Sequence, residues 1–480
     1  MVELKNYIGG KLQPARSGGW LDGHEPATGK VYARIPDSGA ADVEAAVDAA
    51  AEAFPLWSAL PAAERSQWLL KLAALVERDL EKLARAESVD NGKPVDLARS
   101  LDIPRAISNL RFFAAAASQF GSESHAMEEG AINYTLRSPL GVVGCISPWN
   151  LPLYLFTWKI APALAAGNCV VAKPSEITPM TAYLFSELCA EAGLPPGVLN
   201  VVHGLGAKAG SALVDHPGVK AVSFTGGTRT GSGIAARAAP KFKKLSLELG
   251  GKNPVLVFAD CDFELALKES LRAAFANQGE ICFCGSRIYI ERSLYPKFRD
   301  AFVARAQSLR QGDPLEAGVQ QGALVSEAHL QKVLGYIDLA KQEGGKVLCG
   351  GKRPRLSGRC AEGWFLEPTV IEGLGPGCRV NQEEIFGPVV TLWPFDGEAE
   401  ALQLANGTPY GLTATVLSTD VARCHRLAAK LEAGLIWINC WMLRDLRVPM
   451  GGVKQSGVGR EGGFEAMRFF TEARNVCIKY

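Results

Sequence analysis

The chain has 480 residues. A single hydrophobic core rarely serves a chain of this length, so at least two domains are expected. Hydrophobic residues make up 48% of the chain and charged residues 21%, a balance that excludes long disordered stretches. The 51 Lys and Arg residues offset 50 Asp and Glu residues, and no basic block occurs, so a nucleic-acid partner is not expected.

The N-terminal residues, MVELKNYIGGKLQPA, have no signal-peptide pattern, and no apolar run in the chain reaches membrane-spanning length. A cytoplasmic protein with no membrane partner is therefore predicted. The next segments are predicted to be helical. Asp42 to Trp57 is Ala-rich with apolar residues at helical spacing, and Ala62 to Ser88 continues in the same way.

Short apolar runs separated by helical or Gly-rich segments begin at Gly141, with GVVGCIS, NCVVAKP, GVLNVV, AVSFTG and LSLELG. A second series follows Lys252, with NPVLVFA, RIYIE, VVTLWPF, LTATVLS and GLIWINC. Near-continuous apolar strands between helices are typical of parallel sheets covered on both faces. The sequence therefore predicts an α/β protein with two α/β domains. The last residues, NVCIKY, read as a terminal strand that needs another edge to pair with, which favours a homo-oligomer.

The 12 cysteines are spread along a chain without an export signal, so most are expected to be small buried hydrophobes. The only close pair is Cys282 with Cys284, and it has no C-x-x-C or His-x-x-x-His companion. No metal site is therefore predicted. Any chemical role of cysteine in this chain is expected to be that of a nucleophile.

Three segments contain residues suited to acyl chemistry. In SPWNLP, Asn150 lies between two prolines, so its amide is either a fixed oxyanion donor or part of a turn chosen for its conformation. In KLSLELGGKNP, an apolar strand leads to Glu248, whose carboxylate is either a general base of raised pKa or a cap of the next turn. In FANQGEICFCGSR, Cys282 follows a Gly-Glu turn and is either a nucleophile or one of two cysteines packed under a strand.

In this order the three segments resemble the aldehyde dehydrogenase superfamily, together with KPSE at Lys173 to Glu176, FTGGTRTG at Phe224 to Gly231 and EEIFGP at Glu383 to Pro388. The resemblance covers nearly the whole chain. It implies an aldehyde dehydrogenase-like α/β fold with a Rossmann-type cofactor domain, a second α/β catalytic domain and a small β oligomerisation element. The implied segments are 1–121 and 140–250 for NAD binding, 251–450 for catalysis, and 122–139 and 466–480 for oligomerisation into a homodimer or homotetramer.

The resemblance also implies a reaction. The Cys282 thiolate attacks the aldehyde, and the oxyanion that forms is held by the Asn150 amide and the Cys282 backbone N–H. Hydride leaves to NAD, a thioester remains on Cys282, and Glu248 activates the water that releases the carboxylic acid. A carboxylate at Glu248 separates this chain from relatives that pass the acyl group to coenzyme A. No His or Lys adjacent to Cys282 in sequence explains how the thiol is ionised.

Cofactor binding is implied in the same way. Lys173 and Glu176 correspond to residues that hold the adenosine ribose, and a carboxylate there favours NAD over NADP because it repels a 2′-phosphate. The stretch from Gly226 to Gly231 is not a G-x-G-x-x-G fingerprint, but it follows a strand and places helix N-terminal N–H groups near the pyrophosphate. Many relatives carry Ser at Gly227. The full set of expected cofactor residues is Lys173, Glu176, Ser147, Trp149, Gly226, Gly227, Gly231, Leu249, Glu384 and Phe386.

Two further segments, Leu101 to Phe113 and Trp437 to Gly457, resemble the 2-aminomuconic and 2-hydroxymuconic semialdehyde dehydrogenases. Those enzymes oxidise a semialdehyde that already bears a carboxylate, so Arg105 and Arg444 are expected to bind it, and Arg447 is a weaker candidate. Ordinary roles stay open: Arg105 could pair with Asp102, and Arg444 and Arg447 flank Asp445. The expected apolar lining, which could equally be core, is Leu155, Trp158 and Trp441.

Three other functions stay open. A broader aliphatic or aromatic aldehyde dehydrogenase would share the catalytic residues without needing the arginines. A catalytically silent, NAD-binding structural protein would not need to keep Cys282, Glu248 and Asn150 together. An esterase using the same thiolate would act without NAD.

Overall fold

The computed structural model describes all 480 residues, and eight strands form its first large sheet. Every residue of Val142–Ile146 and Cys169–Lys173 is buried, so both faces of these strands are covered by other elements. Five of the eight strands are parallel, and antiparallel strands extend both edges. In spatial order the strands are Gly457–Val458, Lys244–Glu248, Val219–Thr225, Val142–Ile146, Cys169–Lys173, Leu199–Val201, Asn6–Ile8 and Lys11–Gln13.

The order in which the chain adds the five parallel strands reverses at one point in the sheet. From Val142–Ile146 the chain adds Cys169–Lys173 and Leu199–Val201 on one side, then returns to place Val219–Thr225 and Lys244–Glu248 on the other. Loops after the two strands that flank such a switch point diverge and leave a crevice at the carboxyl edge of the sheet. Ser147 and Gly226, both predicted cofactor residues, follow these two strands directly.

The second large sheet has seven strands, all parallel except for one antiparallel edge strand. Their spatial order is Lys346–Cys349, Thr369–Glu372, Val389–Phe395, Gly285–Glu291, Asn253–Val257, Thr413–Leu417 and Leu435–Ile438. One hydrophobic cluster of 89 buried residues includes side chains from both large sheets. The two sheets therefore share a continuous core, and the crevice lies between two bodies that pack against each other.

The remaining strands form three smaller sheets. The first comprises Val2–Glu3, Lys30–Pro36 and Trp20–Glu25, and a two-stranded sheet comprises Tyr410–Gly411 and Val453–Lys454. An antiparallel sheet comprises Thr471–Lys479, Ala131–Pro139 and Ser124–Met127. The terminal strand thus pairs with a segment of its own chain and forms an edge of that sheet.

The helices are mostly amphipathic, and one of them, Pro152–Ala165, is buried along its whole length. None has the length and apolar character needed to cross a membrane. The helices are Ala40–Ala59, Ala62–Arg78, Leu80–Asn91, Val95–Leu97, Ile103–Ala117, Pro152–Ala165, Met180–Ala192, Ser211–Asp215, Thr228–Ala238, Phe263–Phe275, Tyr295–Gln307, Glu327–Gln342, Arg379–Gln382, Gly397–Asn406, Val421–Ala428 and Gly463–Phe469, with π turns at Ala98–Asp102 and Gly206–Gly210.

The predicted α/β class and parallel strands are confirmed, and the predicted helices occur as Ala40–Ala59, Ala62–Arg78 and Leu80–Asn91. Five strands before Ala40 were not predicted, and three of them have only two or three residues, too few to show a clear alternation. The proposed segment boundaries stay a prediction. Gly457–Val458 pairs with Lys244–Glu248 although it lies in 451–465, outside every predicted segment.

Candidate active site

A cavity of about 230 Å³ opens at the carboxyl edge of the eight-stranded sheet and is bordered by both halves of the protein. It brings together two of the three predicted catalytic residues with six of the ten predicted cofactor residues. Its lining is Pro148, Trp149, Asn150, Thr225, Gly226, Gly227, Leu249, Gly250, Cys282, His329, Lys332, Glu384 and Phe386.

Cys282 lies on a tight turn between the helix Phe263–Phe275 and the strand Gly285–Glu291. Three consecutive residues before it, Asn277 to Gly279, have positive φ values of 51°, 55° and 71°, which reverse the chain direction sharply. The Asn253 amide holds the turn from below by donating to the Cys282 and Cys284 carbonyls at 2.7 and 2.9 Å. The Cys282 backbone N–H donates to no protein group and is therefore available beside the thiol.

Asn150 is buried near the end of the loop that joins the strand Val142–Ile146 to the helix Pro152–Ala165. Its side-chain Nδ2 donates to the carbonyl of Glu280 at 2.9 Å, so one of the two amide hydrogens is used to dock the side chain against the turn that carries Cys282. Because Asn150 and Cys282 line the same cavity, the second hydrogen is available to a group bound there.

Glu248 ends the strand Lys244–Glu248, is 4% exposed, and has an Oε1 atom without a hydrogen-bond partner. Burial raises its pKa well above the usual value, and the nearby Glu461 carboxylate raises it further, against the opposing charges of Lys159, Arg460 and Arg444. Glu248 does not line the cavity, but its charge reaches the Cys282 thiol, whose pKa it helps to raise.

Behind Glu248 lies a buried polar group that sequence reasoning missed. Glu461 Oε1 accepts hydrogen bonds from Lys159 Nζ at 2.8 Å and Ser223 Oγ at 2.9 Å. Lys159 belongs to the buried helix Pro152–Ala165, and Glu461 follows the short strand Gly457–Val458. A charged residue inside an otherwise apolar helical run was the signal available for Lys159.

The Cys282 thiol is surrounded by groups that oppose its ionisation. Burial raises its pKa, and Glu248, Glu384 and Cys284 raise it further, whereas only Arg444 lowers it. The protein by itself therefore holds Cys282 as a neutral thiol. Arg444, more than 160 positions away in sequence, is the cation that local sequence inspection could not supply.

The adenosine end of the predicted cofactor site lies at the end of the strand Cys169–Lys173. Lys173 Nζ donates to Glu176 Oε2 at 2.6 Å, and Glu176 Oε1 accepts the Gly206 N–H at 3.2 Å. Ser147 is buried beside them, with its N–H donating to the Lys173 carbonyl at 3.2 Å. The pair is thus held at the mouth of the crevice, with Glu176 partly exposed.

The Gly-rich segment forms a cradle that side chains would fill. A Cβ at Gly226 would lie 2.4 Å from the Phe224 ring, and a Cβ at Gly231 would lie 2.4 Å from a methyl group of Leu249. Gly227 faces open space and caps the helix Thr228–Ala238 without a side-chain hydrogen bond. The buried Thr225 hydroxyl at the same edge has no partner. Unpaired donors at a helix N-terminus, in a space kept clear by glycine, suit a phosphate group.

The opposite end of the cavity is formed by Glu384 and Phe386. Glu384 Oε1 accepts the Gly251 N–H at 2.9 Å, and a Cβ on Gly250 would lie 2.3 Å from Glu384 Oε2. Phe386 has a φ of 62°, an unusual conformation for a bulky residue.

His329 and Lys332 also border the cavity and were missed. His329 Nε2 contacts the Phe386 carbonyl at 2.6 Å, and its ring lies 5.2 Å from the Trp149 ring. Burial lowers the pKa of His329 to about 4, so the ring is neutral at pH 7. The available signal for these two residues was the segment SEAHLQK, in which His and Lys lie one helical turn apart after a Ser cap.

The two arginines predicted to bind a carboxylate meet at Tyr154. Arg444 Nη1 donates to the Tyr154 hydroxyl at 2.9 Å, and the Arg105 guanidinium lies 5.7 Å from the Tyr154 ring centroid. The Arg444 guanidinium also lies 5.2 Å from the Trp158 ring and 5.5 Å from the Phe283 ring. Its Nε and Nη2 atoms are buried and have no hydrogen-bond partner.

The ordinary pairings that could have explained these arginines do not occur. Asp102 pairs with the buried Lys93, not with Arg105. Asp445 pairs with Arg447, whose side chain is 80% exposed, and leaves Arg444 free of a carboxylate. The weaker candidate, Arg447, is therefore a surface ion-pair residue in this structure.

Leu155, Trp158 and Trp441 are buried in the main hydrophobic cluster and do not line the cavity. Trp158 packs against Phe113 and the Arg444 guanidinium. Trp441 is fixed by its Nε1 donating to the Phe283 carbonyl at 3.0 Å. Their described contacts are those of core residues, and Trp158 alone touches one of the two arginines.

The cavity thus combines a thiol on a tight turn, an amide docked against that turn and a helix N-terminus kept clear by glycine. Comparison with known families gives the class of protein to which these features belong. Residues 14–476 match the model of the aldehyde dehydrogenase family, and the chain belongs to this family. The predicted family, fold class and enzyme class are confirmed.

Particular relatives are similar over their whole length. The chain is 52% identical to the 2-aminomuconic semialdehyde dehydrogenase of Danio rerio, over 99% of this chain and 98% of the relative. It is 45% identical to the 2-hydroxymuconic semialdehyde dehydrogenase of Pseudomonas sp. (strain CF600), over 100% of both chains. Among solved structures, PnpE in complex with nicotinamide adenine dinucleotide has a TM-score of 0.97 and 44% identity, over 99% of this chain and 97% of that chain.

Proposed function

We propose that this enzyme oxidises 2-aminomuconate or 2-hydroxymuconate 6-semialdehyde to the dicarboxylate with NAD. The observation that carries the proposal is the Arg444 guanidinium, whose Nε and Nη2 atoms are buried and unpaired and whose charge lowers the pKa of the Cys282 thiol. Arg105 approaches the same tyrosine that Arg444 contacts. A buried guanidinium without a carboxylate is costly, and a carboxylated substrate supplies the missing partner. The similarity to a 2-aminomuconic and a 2-hydroxymuconic semialdehyde dehydrogenase supports the same substrate class.

NAD fits the residues of the crevice. Lys173 and Glu176 would hold the adenosine ribose, and the partly exposed Glu176 carboxylate would repel a 2′-phosphate. The cradle kept clear by Gly226 and Gly231 would take the pyrophosphate on the N-terminus of Thr228–Ala238, with no side-chain hydroxyl at Gly227. Ser147, Trp149 and Leu249 would line the crevice, and Glu384 with Phe386 would bracket the nicotinamide ribose. When bound, NAD supplies the hydride acceptor.

The chain's own residues account for the remaining chemistry. Cys282 passes its proton to solvent water, and its sulfur bonds to the aldehyde carbon as the carbonyl π bond breaks. The new oxyanion accepts hydrogen bonds from the free Asn150 amide hydrogen and the unpaired Cys282 N–H. Loss of hydride from the same carbon leaves a thioester on Cys282. Glu248 then takes a proton from a water molecule while the water oxygen attacks the thioester carbonyl. The C–S bond breaks, which releases the carboxylic acid and leaves Cys282 as a thiolate.

Substitution of the arginines tests the substrate. Arg444→Met or Arg105→Ala is expected to lower kcat/KM for 2-hydroxymuconate semialdehyde by roughly 10- to 100-fold, since each removes a charge-assisted contact. For a neutral aldehyde of similar size, kcat/KM should stay near the unsubstituted value. Steady-state NADH formation with both aldehydes measures the ratio.

Arg447→Ala is the matched control, because Arg447 lies in the same loop but pairs with Asp445 at the surface. It should leave both substrates unaffected. An equal loss on neutral and carboxylated aldehydes in the Arg444 and Arg105 variants would contradict carboxylate binding and favour the broader aldehyde dehydrogenase. A folded, NAD-binding protein inactive on a broad aldehyde panel would favour the silent structural protein.

Asn150→Ala tests the oxyanion donor. It is expected to lower kcat by roughly 10²- to 10³-fold, because it removes one preorganised donor from the charge that develops in the transition state. NAD binding, followed by quenching of tryptophan fluorescence, should change little. A kcat within a factor of two of the unsubstituted enzyme would contradict this role for Asn150.

The homodimer or homotetramer and the cytoplasmic location stay predictions. An exposed edge strand at Thr471–Lys479 supports association of chains. Sedimentation velocity at two protein concentrations distinguishes monomer, dimer and tetramer.

A further inference from the structure

We propose that Lys93 is a positioning residue whose buried ammonium sets the place of the Asn150 amide and ties it to the helix that carries Arg105. The inference rests on the proposed function, because it takes Asn150 as an oxyanion donor and Arg105 as a substrate residue. Lys93 belongs to the segment ESVDNGK, Glu87 to Lys93, which has no role in the chemistry described above.

Lys93 makes a direct contact with the oxyanion loop, residues 147–151, which contains Asn150. Its Nζ donates to the Asn150 main-chain carbonyl at 2.9 Å and forms an ion pair with Asp102. Neither side chain has any solvent exposure. The same Asn150 carbonyl accepts a second hydrogen bond from Asn277 Nδ2 at 3.2 Å, on the turn that leads to Cys282. The Asn150 backbone is thus clamped between Lys93 and the nucleophile turn.

Other residues of the same segment contact the backbone on both sides of Asn150. Asn91 Nδ2 donates to the Trp149 carbonyl at 3.0 Å, and the Glu87 carboxylate faces the Leu153 N–H at 3.4 Å from both oxygens. The loop residue before Asn150 and the first turn of the helix after it therefore contact one buried polar segment. Because a fixed backbone fixes the directions open to a short side chain, this segment determines where the Asn150 amide hydrogen points.

The segment itself is held rigidly at the junction of the two halves. Gly92 has a φ of 90°, and a Cβ there would lie 2.7 Å from the Ala323 carbonyl oxygen. The Gly92 N–H donates to the Ser88 carbonyl at 2.9 Å, and its carbonyl accepts the Ala323 N–H at 3.0 Å. The Ser88 hydroxyl then donates to the Lys93 carbonyl at 2.6 Å. Lys93 therefore projects from a turn that only glycine permits.

Asp102 extends the connection toward the substrate. It immediately precedes the helix Ile103–Ala117, and Arg105 lies in the first turn of that helix. One ammonium group thus contacts both the oxyanion loop and the residue at which the Arg105 helix begins. A buried ion pair adds little to stability compared with apolar side chains of the same size. Its value here is positional, since an apolar pair could not hold the Asn150 carbonyl.

Two variants separate positioning from folding. Lys93→Met is expected to lower kcat by roughly 10- to 100-fold, the scale of a small misplacement of a reacting group, with NAD affinity unchanged. Lys93→Met leaves the Asp102 charge buried and destabilises the fold, so the double variant Lys93→Met with Asp102→Leu is measured as well. This double variant should recover the melting temperature and keep the low kcat.

The matched control is Lys71→Met. Lys71 Nζ also donates to a main-chain carbonyl, that of Ala192 at 2.6 Å, but this carbonyl is not part of the cavity. Lys71→Met should leave kcat unchanged. Recovery of kcat together with stability in the Lys93, Asp102 double variant would overturn the proposal, because it would show a purely structural role.

A double-mutant cycle with Asn150→Ala completes the test. If Lys93 acts through Asn150, Lys93→Met has little further effect on kcat in the Asn150→Ala background. Equal effects in both backgrounds, or an unchanged kcat in Lys93→Met alone, would overturn the positioning role while leaving the proposed function intact. An unchanged kcat in Asn150→Ala alone would instead contradict the oxyanion assignment, and the inference would fall with it.

Discussion

Replacement of Cys282 by alanine is expected to lower kcat by roughly 10⁴-fold or more, the scale of losing an enzyme's nucleophile. The reason is that no other thiol borders the cavity, so the thioester cannot form. NAD should still bind, since the crevice is built mainly from backbone and from residues of the eight-stranded sheet. Steady-state NADH formation and a fluorescence titration with NAD measure the two properties separately.

The control for Cys282 is its neighbour Cys284, two positions along the same turn. Cys284 is buried, and its Sγ lies 3.9 Å from the Ala276 carbonyl, away from the cavity lining. Cys284→Ala should keep kcat close to that of the unsubstituted enzyme, with a small loss of stability. Substantial activity in Cys282→Ala, or loss of activity in Cys284→Ala with the fold intact, would contradict Cys282 as the nucleophile.

Glu248→Gln is expected to lower steady-state kcat by roughly 10²- to 10⁴-fold, the range for loss of a general base. The first turnover should be spared, because in the proposed reaction Glu248 acts on water only after hydride has left. Rapid mixing should therefore show a burst of NADH close to one per active site, followed by a slow steady rate. Loss of the burst would mean that Glu248 is needed before the thioester forms.

The pH dependence of the slow step follows from the surroundings of Glu248. The base must be ionised, and burial with the adjacent Glu461 carboxylate holds its pKa well above that of an ordinary glutamate. The rate of thioester hydrolysis should therefore rise as the pH increases through this raised pKa and fall below it. Glu461→Gln removes a negative neighbour and should move the rise to lower pH. A pH profile unaffected by Glu461→Gln would contradict this coupling.

How far the site could be predicted from sequence depended on how local each residue's role is. Cys282, Asn150 and Glu248 each lie in a short segment. The adjacent residues in each segment indicate the turn or the strand end. The same holds for the glycines at Gly226 and Gly231, where the backbone needs space. These roles are carried by a few neighbouring positions, so the motifs were enough to predict them.

Roles that depend on distant partners could not be predicted. Tyr154 joins Arg105 to Arg444, yet the three residues lie in different parts of the chain. Glu461 raises the pKa of Glu248 from more than 200 positions away. His329 and Lys332 looked like ordinary helix residues until the fold placed them beside Trp149 and Phe386.

The sequence by itself determined the α/β class and the family, and it predicted Cys282 as the nucleophile and a negatively charged substrate, because local periodicity and motif order carry that information. Only the tertiary structure decided that the surroundings of Cys282 raise the pKa of its thiol and that Arg444 has two unpaired donors. The same is true of the hydrogen bond from Lys93 to the Asn150 carbonyl. The physical reason is that burial and electrostatic interaction depend on distances through space. Segments far apart in the chain create those distances only when the two sheets pack into one core.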